Sequence, residues 1–409
     1  MPEILAIMPD NVLSEGMHWF ILLAQSAAFV ISVAIILRLA HEKHTPSNIF
    51  AWSLLLLFMP LLGVPLYIVF GGRKIRRLVR KKADLLSTAR ASAGLPENSP
   101  VLSGNSVAVL KDGVEAYRAF CKEIDRAQES INITTFILGN DSVGRSIVRR
   151  LEARARAGVK VRLLIDALGS MNAPVQSIRQ FRKAGGELRR FIPLSPFVAK
   201  VSANLRNHRK MAIFDSTRAI VGGQNMDIRF LSPTYSQGLF ADLSLRIEGP
   251  AVAAISPVFA GDWAFAGPAG SQDLVPPVDI SMIPCGESLL EVIASGPDVE
   301  GDPLWERMIT LVQESRESVT IVTPYFIPDE VLLRTLIIKA HAGRKVRVVV
   351  PETSNHPIVD MARNRYLRQI HAQGVEVLFY KKRMLHAKLI MVDGKYALSG
   401  SANIDPRSF

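Results

Sequence analysis

Cysteine is almost absent from this 409-residue chain. Cys121 and Cys285 are the only two, too few for a disulfide framework or a cysteine-built zinc or iron–sulfur site. Acidic residues are also in deficit, with 37 Asp and Glu against 49 Lys and Arg and a net charge of +12. That balance favours an anionic partner such as phospholipid headgroups, nucleic acid or phosphorylated small molecules. Charged residues make up only 21% and hydrophobic residues 48%, which excludes a disordered tail. The length allows two or three domains. A mean hydropathy of +0.20 is high for so basic a chain, so the apolar residues must be concentrated somewhere.

They are concentrated near the N-terminus. Trp19 to Leu37 and Ile49 to Phe70 are both free of charge, and each reaches the roughly 20 residues that cross a bilayer as a helix. Glu3, Asp10 and Glu15 precede the first run, which argues against a signal peptide. The pattern predicts a transmembrane helical hairpin over residues 1–72. Pro60, Gly63 and Pro65 mark the second run as kinked or re-entrant. Trp19 and Trp52 fall where interface anchors belong. The loop between the runs carries Arg38 and Lys43. Arg73, Lys74, Arg76, Arg77, Arg80, Lys81 and Lys82 follow the second run. The heavier cluster predicts a cytoplasmic remainder, with basic side chains against anionic headgroups at about 1 kcal/mol each. Residues 73–104 then read as a basic juxtamembrane segment and a linker.

From about residue 105 short β-rich runs alternate with helical stretches: Ser130–Phe136 a strand, Asp141–Ala157 a helix, Val159–Asp166 a strand. This predicts α/β architecture. The chain then repeats itself at offsets between 178 and 188 residues. Glu129-Ser130-Ile131 returns as Glu317-Ser318-Val319, Gly158–Arg162 as Gly343–Arg347, and His208–Arg229 as His386–Arg407. Two pseudo-symmetric lobes follow, each a mixed β-sheet flanked by helices, at 105–266 and 286–409. A Gly- and Pro-rich connector spans 267–285.

The repeat is densest around His208-Arg209-Lys210 and His386-Ala387-Lys388. Asp215 and Asp393 lie five residues after each Lys, and Asn225 and Asn403 lie 17 after each His. His and Lys alternate along a predicted strand, so they share one face at roughly 6.5 Å spacing. Asp215-Ser216 and Asp393-Gly394 read as hairpin turns that return Asn225 and Asn403 beside the imidazoles. Imidazole, ammonium and amide together suit a phosphate. One imidazole cannot both attack phosphorus and protonate the leaving oxygen; two facing halves supply both.

The twin His-x-Lys-x4-Asp motifs resemble the phospholipase D superfamily, and with the N-terminal hairpin the chain looks like a bacterial cardiolipin synthase. The likeness extends to Ala51-Trp52, Gly71-Gly72 and Thr323–Pro328. It implies two phospholipase D-like lobes and phosphatidyl transfer from one phosphatidylglycerol to another with release of glycerol. His208 would be the nucleophile and His386 the acid, then the base. Lys210, Lys388, Asn225 and Asn403 would hold the phosphate oxygens. Asp215 and Asp393 would fix loop or imidazole geometry, with turn formation alone as the alternative. A free imidazole titrates near roughly 6.5, so one neutral and one protonated His is an accessible state near neutral pH. The resemblance implies no cofactor and no metal, anionic phospholipids and the bilayer as partners rather than nucleic acid, and a multi-pass place in the bacterial inner membrane with cytoplasmic lobes.

Competing readings are a hydrolase with the same site and an inactive anionic-lipid scaffold. Asp227 with Arg229, and Asp405 with Arg407, read as structural ion pairs. His41 and His44 lie three apart with no third ligand evident. Phe191–Val201 reads as a buried connector, with an acyl-chain lip as the alternative. The second half lacks a counterpart of Asp242–Trp263, which reads as truncation, with an incomplete repeat as the alternative.

Overall fold

The computed structural model describes residues 10–41, 46–68, 76–96, 100–192, 206–268, 283–296, 299 and 301–405. The chain divides into one unit ending at Lys74 and a second beginning at Ile75.

In the N-terminal unit, α1 runs from Asp10 to His41. Its stretch Met17–His41 is apolar over 25 residues, or about 37 Å at 1.5 Å per residue. The second apolar run does not form one helix. It splits into α2 (Pro46–Phe58) and α3 (Pro60–Leu66). Pro60 has no N–H to donate and pushes the preceding residue out of the α region; Met59 sits at φ −136°, ψ 60°. Among the described residues, one helix is long and apolar enough to cross a membrane, and the break at Pro60 falls in the run expected to be kinked or re-entrant. Gly63 lets α3 approach α2, since a Cβ there would lie 2.9 Å from the Leu55 carbonyl oxygen. Leu39, Leu56, Val64 and Tyr67 form a small buried cluster, with Trp52 edge-on to Tyr67 at 5.2 Å.

The second unit opens with α4 (Arg76–Ser92), a helix where the sequence suggested linker. Its partner in packing is the later helix 251–265. Thereafter strands and helices alternate: β1 (Val101–Leu110), α5 (Gly113–Arg126), β2 (Ser130–Thr135), α6 (Ser142–Arg156), β3 (Lys160–Asp166), α7 (Val175–Lys183), β4 (Glu187–Phe191), β5 (Met211–Phe214), β6 (Arg218–Gly222), β7 (Ser244–Glu248), α8 (Ala251–Phe265) and β8 (Ser288–Glu291). These eight strands make one sheet in the order β4-β3-β2-β5-β6-β7-β1-β8. The second half contributes α9 (Pro303–Glu314), β9 (Ser318–Val322), α10 (Glu330–His341), β10 (Lys345–Pro351), α11 (Pro357–His371), β11 (Glu376–Tyr380), β12 (Leu389–Val392) and β13 (Tyr396–Ser399). Its five strands are ordered β11-β10-β9-β12-β13.

The two orders share one plan. In each half three consecutive strands, β2–β4 and β9–β11, run parallel, and the next strand, β5 or β12, pairs antiparallel with the first of them and opens a hairpin. β2 is buried along its whole length although only Ile131 and Ile133 in it are apolar, so it is covered on both faces without the continuous apolar run such strands usually show. Ile131, Ile133, Val161, Leu163 and Phe214 build the first core; Val319, Ile321, Val346, Val348 and Ile390 build the second. The first sheet continues through β7, β1 and β8. Residues 288–291 thus pair with β1 of the first sheet, although their sequence position adjoins the second half.

Candidate active site

Each of the two hairpins that carry the repeated motif is pinned at its turn. Asp215 and Ser216 have φ of +49° and +55°, and Asp393 and Gly394 have +54° and +63°, the left-handed pair of a type I′ turn. Asp215 Oδ1 accepts from the backbone N–H of Gln128, Glu129 and Ser130, and Arg218 pairs with Oδ2 at 2.8 Å. Asp393 accepts from Arg316, Glu317 and Ser318, each at 2.8 Å. These N–H donors bring the Asp393 carboxyl down to about 2. The structure does not bring either Asp to an imidazole: both close the far end of the strand that the His precedes. Besides sitting in the turns, both carboxylates tie the backbone that enters β2 and β9, which is a loop-fixing contact rather than turn formation alone.

The imidazoles are held across the two halves. His208 Nδ1 bonds the Ser401 carbonyl oxygen at 2.9 Å, and His386 Nδ1 bonds Asp242 Oδ2 at 2.6 Å. Each half therefore orients the other half's ring. Backbone bonds reinforce the seam: the N–H of His386 donates to the Ala241 carbonyl at 2.7 Å, and the N–H of Ala241 to that of Met384 at 2.8 Å. Phe136 packs on His208 at 5.0 Å; Phe230 and Phe240 pack on His386 at 4.9 and 6.0 Å.

A carbonyl can only accept, so His208 Nδ1 carries the proton and Nε2 keeps its lone pair. Ionised Asp242 also only accepts, so His386 Nδ1 points its proton there. Lys388 Nζ lies 2.6 Å from the same Nδ1. That contact competes with the Asp242 bond, since one ring nitrogen cannot donate and accept at once. Lys388 has its own acceptor in the His386 carbonyl. Lys210 Nζ donates to the His208 carbonyl at 2.5 Å. Asn225 Oδ1 accepts from the Ile137 N–H at 3.1 Å, which leaves the amide NH2 to donate. Asn403 is buried.

Asp242 had no sequence signal, because it lies 144 residues from the His it serves. Its place depends on Gly223: a Cβ there would come within 2.6 Å of Asp242 Oδ2.

Electrostatics mark this as a site that wants an anion. Burial, then Lys210, Lys388 and His386, hold His208 well below its usual value. Burial and Lys388 bring His386 down to about 4 against the pull of Asp242. Lys388 falls to about 8 through burial, and Lys210 falls well below normal through burial and Lys388. These shifts disfavour a protonated imidazole in the free site. Desolvation and mutual repulsion favour neutral rings, and an anionic phosphate would relieve both.

A buried polar group supports the segment around His208. Asp262 accepts from Asn207 Nδ2 at 2.8 Å and pairs with Arg209 at 3.1 Å and Lys82 at 2.6 Å. Lys82 therefore does not face headgroups as its neighbours in sequence suggested. Burial and Arg209 bring it down to about 7. Asp227 pairs with Arg229 at 2.7 Å. Arg407, most of the suggested lip 191–201 and most of the connector lie outside the described residues.

A family model described as cardiolipin synthase, PLD-like domain, matches residues 120–263 and 308–409. One described as phospholipase D-nuclease N-terminal matches residues 27–72. The cardiolipin synthase of Oceanobacillus iheyensis is 31% identical over 93% of this chain and 85% of its own length. The major cardiolipin synthase ClsA of Bacillus subtilis is 31% identical over 94% and 86%. Among solved structures, phosphatidylserine synthase from Haemophilus influenzae superposes with a TM-score of 0.57 at 16% identity, over 79% of this chain and 84% of that one, which is a likeness of fold. Matched over more than half of its residues by the family model and along most of their length by these relatives, the chain belongs to the cardiolipin synthase family of the phospholipase D superfamily.

Proposed function

We propose that the chain transfers a phosphatidyl group from one phosphatidylglycerol to the free hydroxyl of another, giving cardiolipin and glycerol. The reading rests above all on the reciprocal bonding of His208 and His386 across the two halves. In the first step His208 Nε2 attacks phosphorus, and the bond to the leaving glycerol oxygen breaks. His386 Nε2 gives that oxygen a proton while Asp242 stabilises the imidazolium. In the second step neutral His386 takes the proton of the acceptor hydroxyl. The resulting oxygen displaces His208 from phosphorus, and both imidazoles return to their starting state. Lys210, Lys388, Asn225 and Asn403 hold the non-bridging oxygens as charge builds in the transition state. One phosphodiester is exchanged for another, so no nucleotide is consumed.

We further assign the lobes to 105–266 and 286–409 with a connector at 267–285, and the membrane segment to 1–72. The second apolar run would cross or re-enter, leaving the catalytic lobes on the cytoplasmic side of a bacterial inner membrane. The apolar α1 and the basic residues after the second run support this placement. The test is incubation of the full chain with phosphatidylglycerol carrying labelled acyl chains. Cardiolipin with glycerol is expected. Phosphatidic acid with glycerol would make the chain a hydrolase, and unchanged lipid would make it neither.

A further inference from the structure

The parallel strands of both halves end on one edge, the edge that carries the imidazoles. β5 runs antiparallel to β2, so His208, just before β5, lies beyond the end of β2. The N–H of Asn207 bonds Asp166 Oδ2 at 3.2 Å, which ties the end of β3 to the His208 segment. The chain leaving β3 presents Leu168, Met171 and Val175 to solvent, with Met171 61% and Val175 63% exposed. The second half repeats this at the equivalent place. The chain leaving β10 enters α11 with Ile358 82% and Met361 77% exposed. Tyr325, which follows β9, anchors that loop through its hydroxyl to Asn355 Oδ1 at 2.6 Å.

A single exposed Met on a surface calls for no explanation. Exposed apolar side chains occur in both halves on the segment that follows the second parallel strand, though not at matched repeat positions, since Met171 falls opposite His356 and Val175 opposite Asp360. Charge on the same edge is mixed: Arg145, Lys381 and Lys382 are exposed, alongside Asp329 and Glu330 at the start of α10 and Glu352 near Lys381 at 3.8 Å. Apolar side chains interleaved with cations are the composition that seats a surface in an anionic lipid interface.

We propose that this edge of the catalytic unit, through Met171, Val175, Ile358 and Met361, dips into the surface of an anionic bilayer and draws headgroups to the imidazoles. The proposal rests on the reading that the substrates are bilayer lipids. It adds a membrane contact distinct from the apolar N-terminal helix. The headgroup then reaches the site while its acyl chains stay in lipid, which removes the cost of lifting them into water.

The test uses the full chain with Cys121→Ala and Cys285→Ser and one added cysteine: Met171→Cys, Met361→Cys, or Ile338→Cys. Ile338 is exposed at the end of α10 on the opposite edge and serves as the control. Each variant carries a polarity-sensitive fluorophore in phosphatidylglycerol vesicles containing lipids with nitroxides on their acyl chains. Quenching at 171 and 361 is expected to exceed that at 338 by about twofold or more. Ile358→Asp is expected to lower it at 361. Equal quenching at all three positions overturns the proposal. The readout needs no turnover: a chain quenched as expected that makes no cardiolipin refutes the functional reading, and one that makes cardiolipin with uniform quenching refutes this surface.

Discussion

Asp242→Asn isolates a charge without removing a side chain. Asp242 is buried and lies 2.6 Å from His386 Nδ1. The amide still accepts a hydrogen bond but carries no charge to balance an imidazolium. At about 4 Å and an effective dielectric of about 20, such a pair is worth about 4 kcal/mol. A loss of about 3–4 kcal/mol in the step where His386 holds the proton slows that step roughly 10²–10³-fold. The assay compares two phosphodiesters in single turnover: phosphatidylglycerol, whose glycerol oxygen needs a proton, and a phosphatidyl ester of nitrophenol, whose leaving oxygen does not. The variant should lose the calculated factor on the first and much less on the second. Gly223→Ala, which crowds the same carboxylate, should show a milder form of the same split. Activity of Asp242→Asn within about threefold of the parent on phosphatidylglycerol, or equal loss on both esters, would refute the reasoning.

Three other outcomes follow from the same contacts. His386 titrates at about 4 in the free site, so an anionic diester that restores its proton should bind at pH 7 with net proton uptake; calorimetry in buffers of different ionisation enthalpy measures it, and zero uptake contradicts the electrostatic account. Asp393 lies at about 2 when folded against 3.8 as a free side chain. Its contribution to stability is present above 3.8 and is lost as pH falls toward 2, so Asp393→Asn should flatten the acid limb of a melting-temperature profile. Asp262→Ala removes the carboxylate facing Lys82 and Arg209 and should cost about 3–5 kcal/mol in denaturant unfolding, whereas exposed Glu330→Ala should cost under about 1 kcal/mol.

The imidazoles and ammonium groups of the candidate site were readable because their repeat is local, with His, Lys and Asp falling within eight residues twice. The sheet plan was readable for the same reason: short apolar runs alternate with amphipathic stretches in both halves. Asp242 was not, since only the docking of one half on the other brings it to His386. Lys82 looked like its neighbours Arg80 and Lys81 in sequence; the packing of α4 on α8 buries it against Asp262. The break in the second apolar run was legible too, because Pro60 lacks an N–H and restricts the residue before it, and the helix divides there. The depressed imidazoles depend on burial and on Lys–His spacing in three dimensions, which spacing in sequence only hints at.

The phosphohistidine is the direct test of the mechanism. Phosphatidylglycerol labelled in the phosphate is mixed with the full chain, quenched in alkali during turnover, and the labelled peptide mapped. The account predicts an acid-labile, alkali-stable adduct on the peptide containing His208, absent in His208→Ala. Label on His386 instead, or cardiolipin formed with no adduct at any time point, would contradict it.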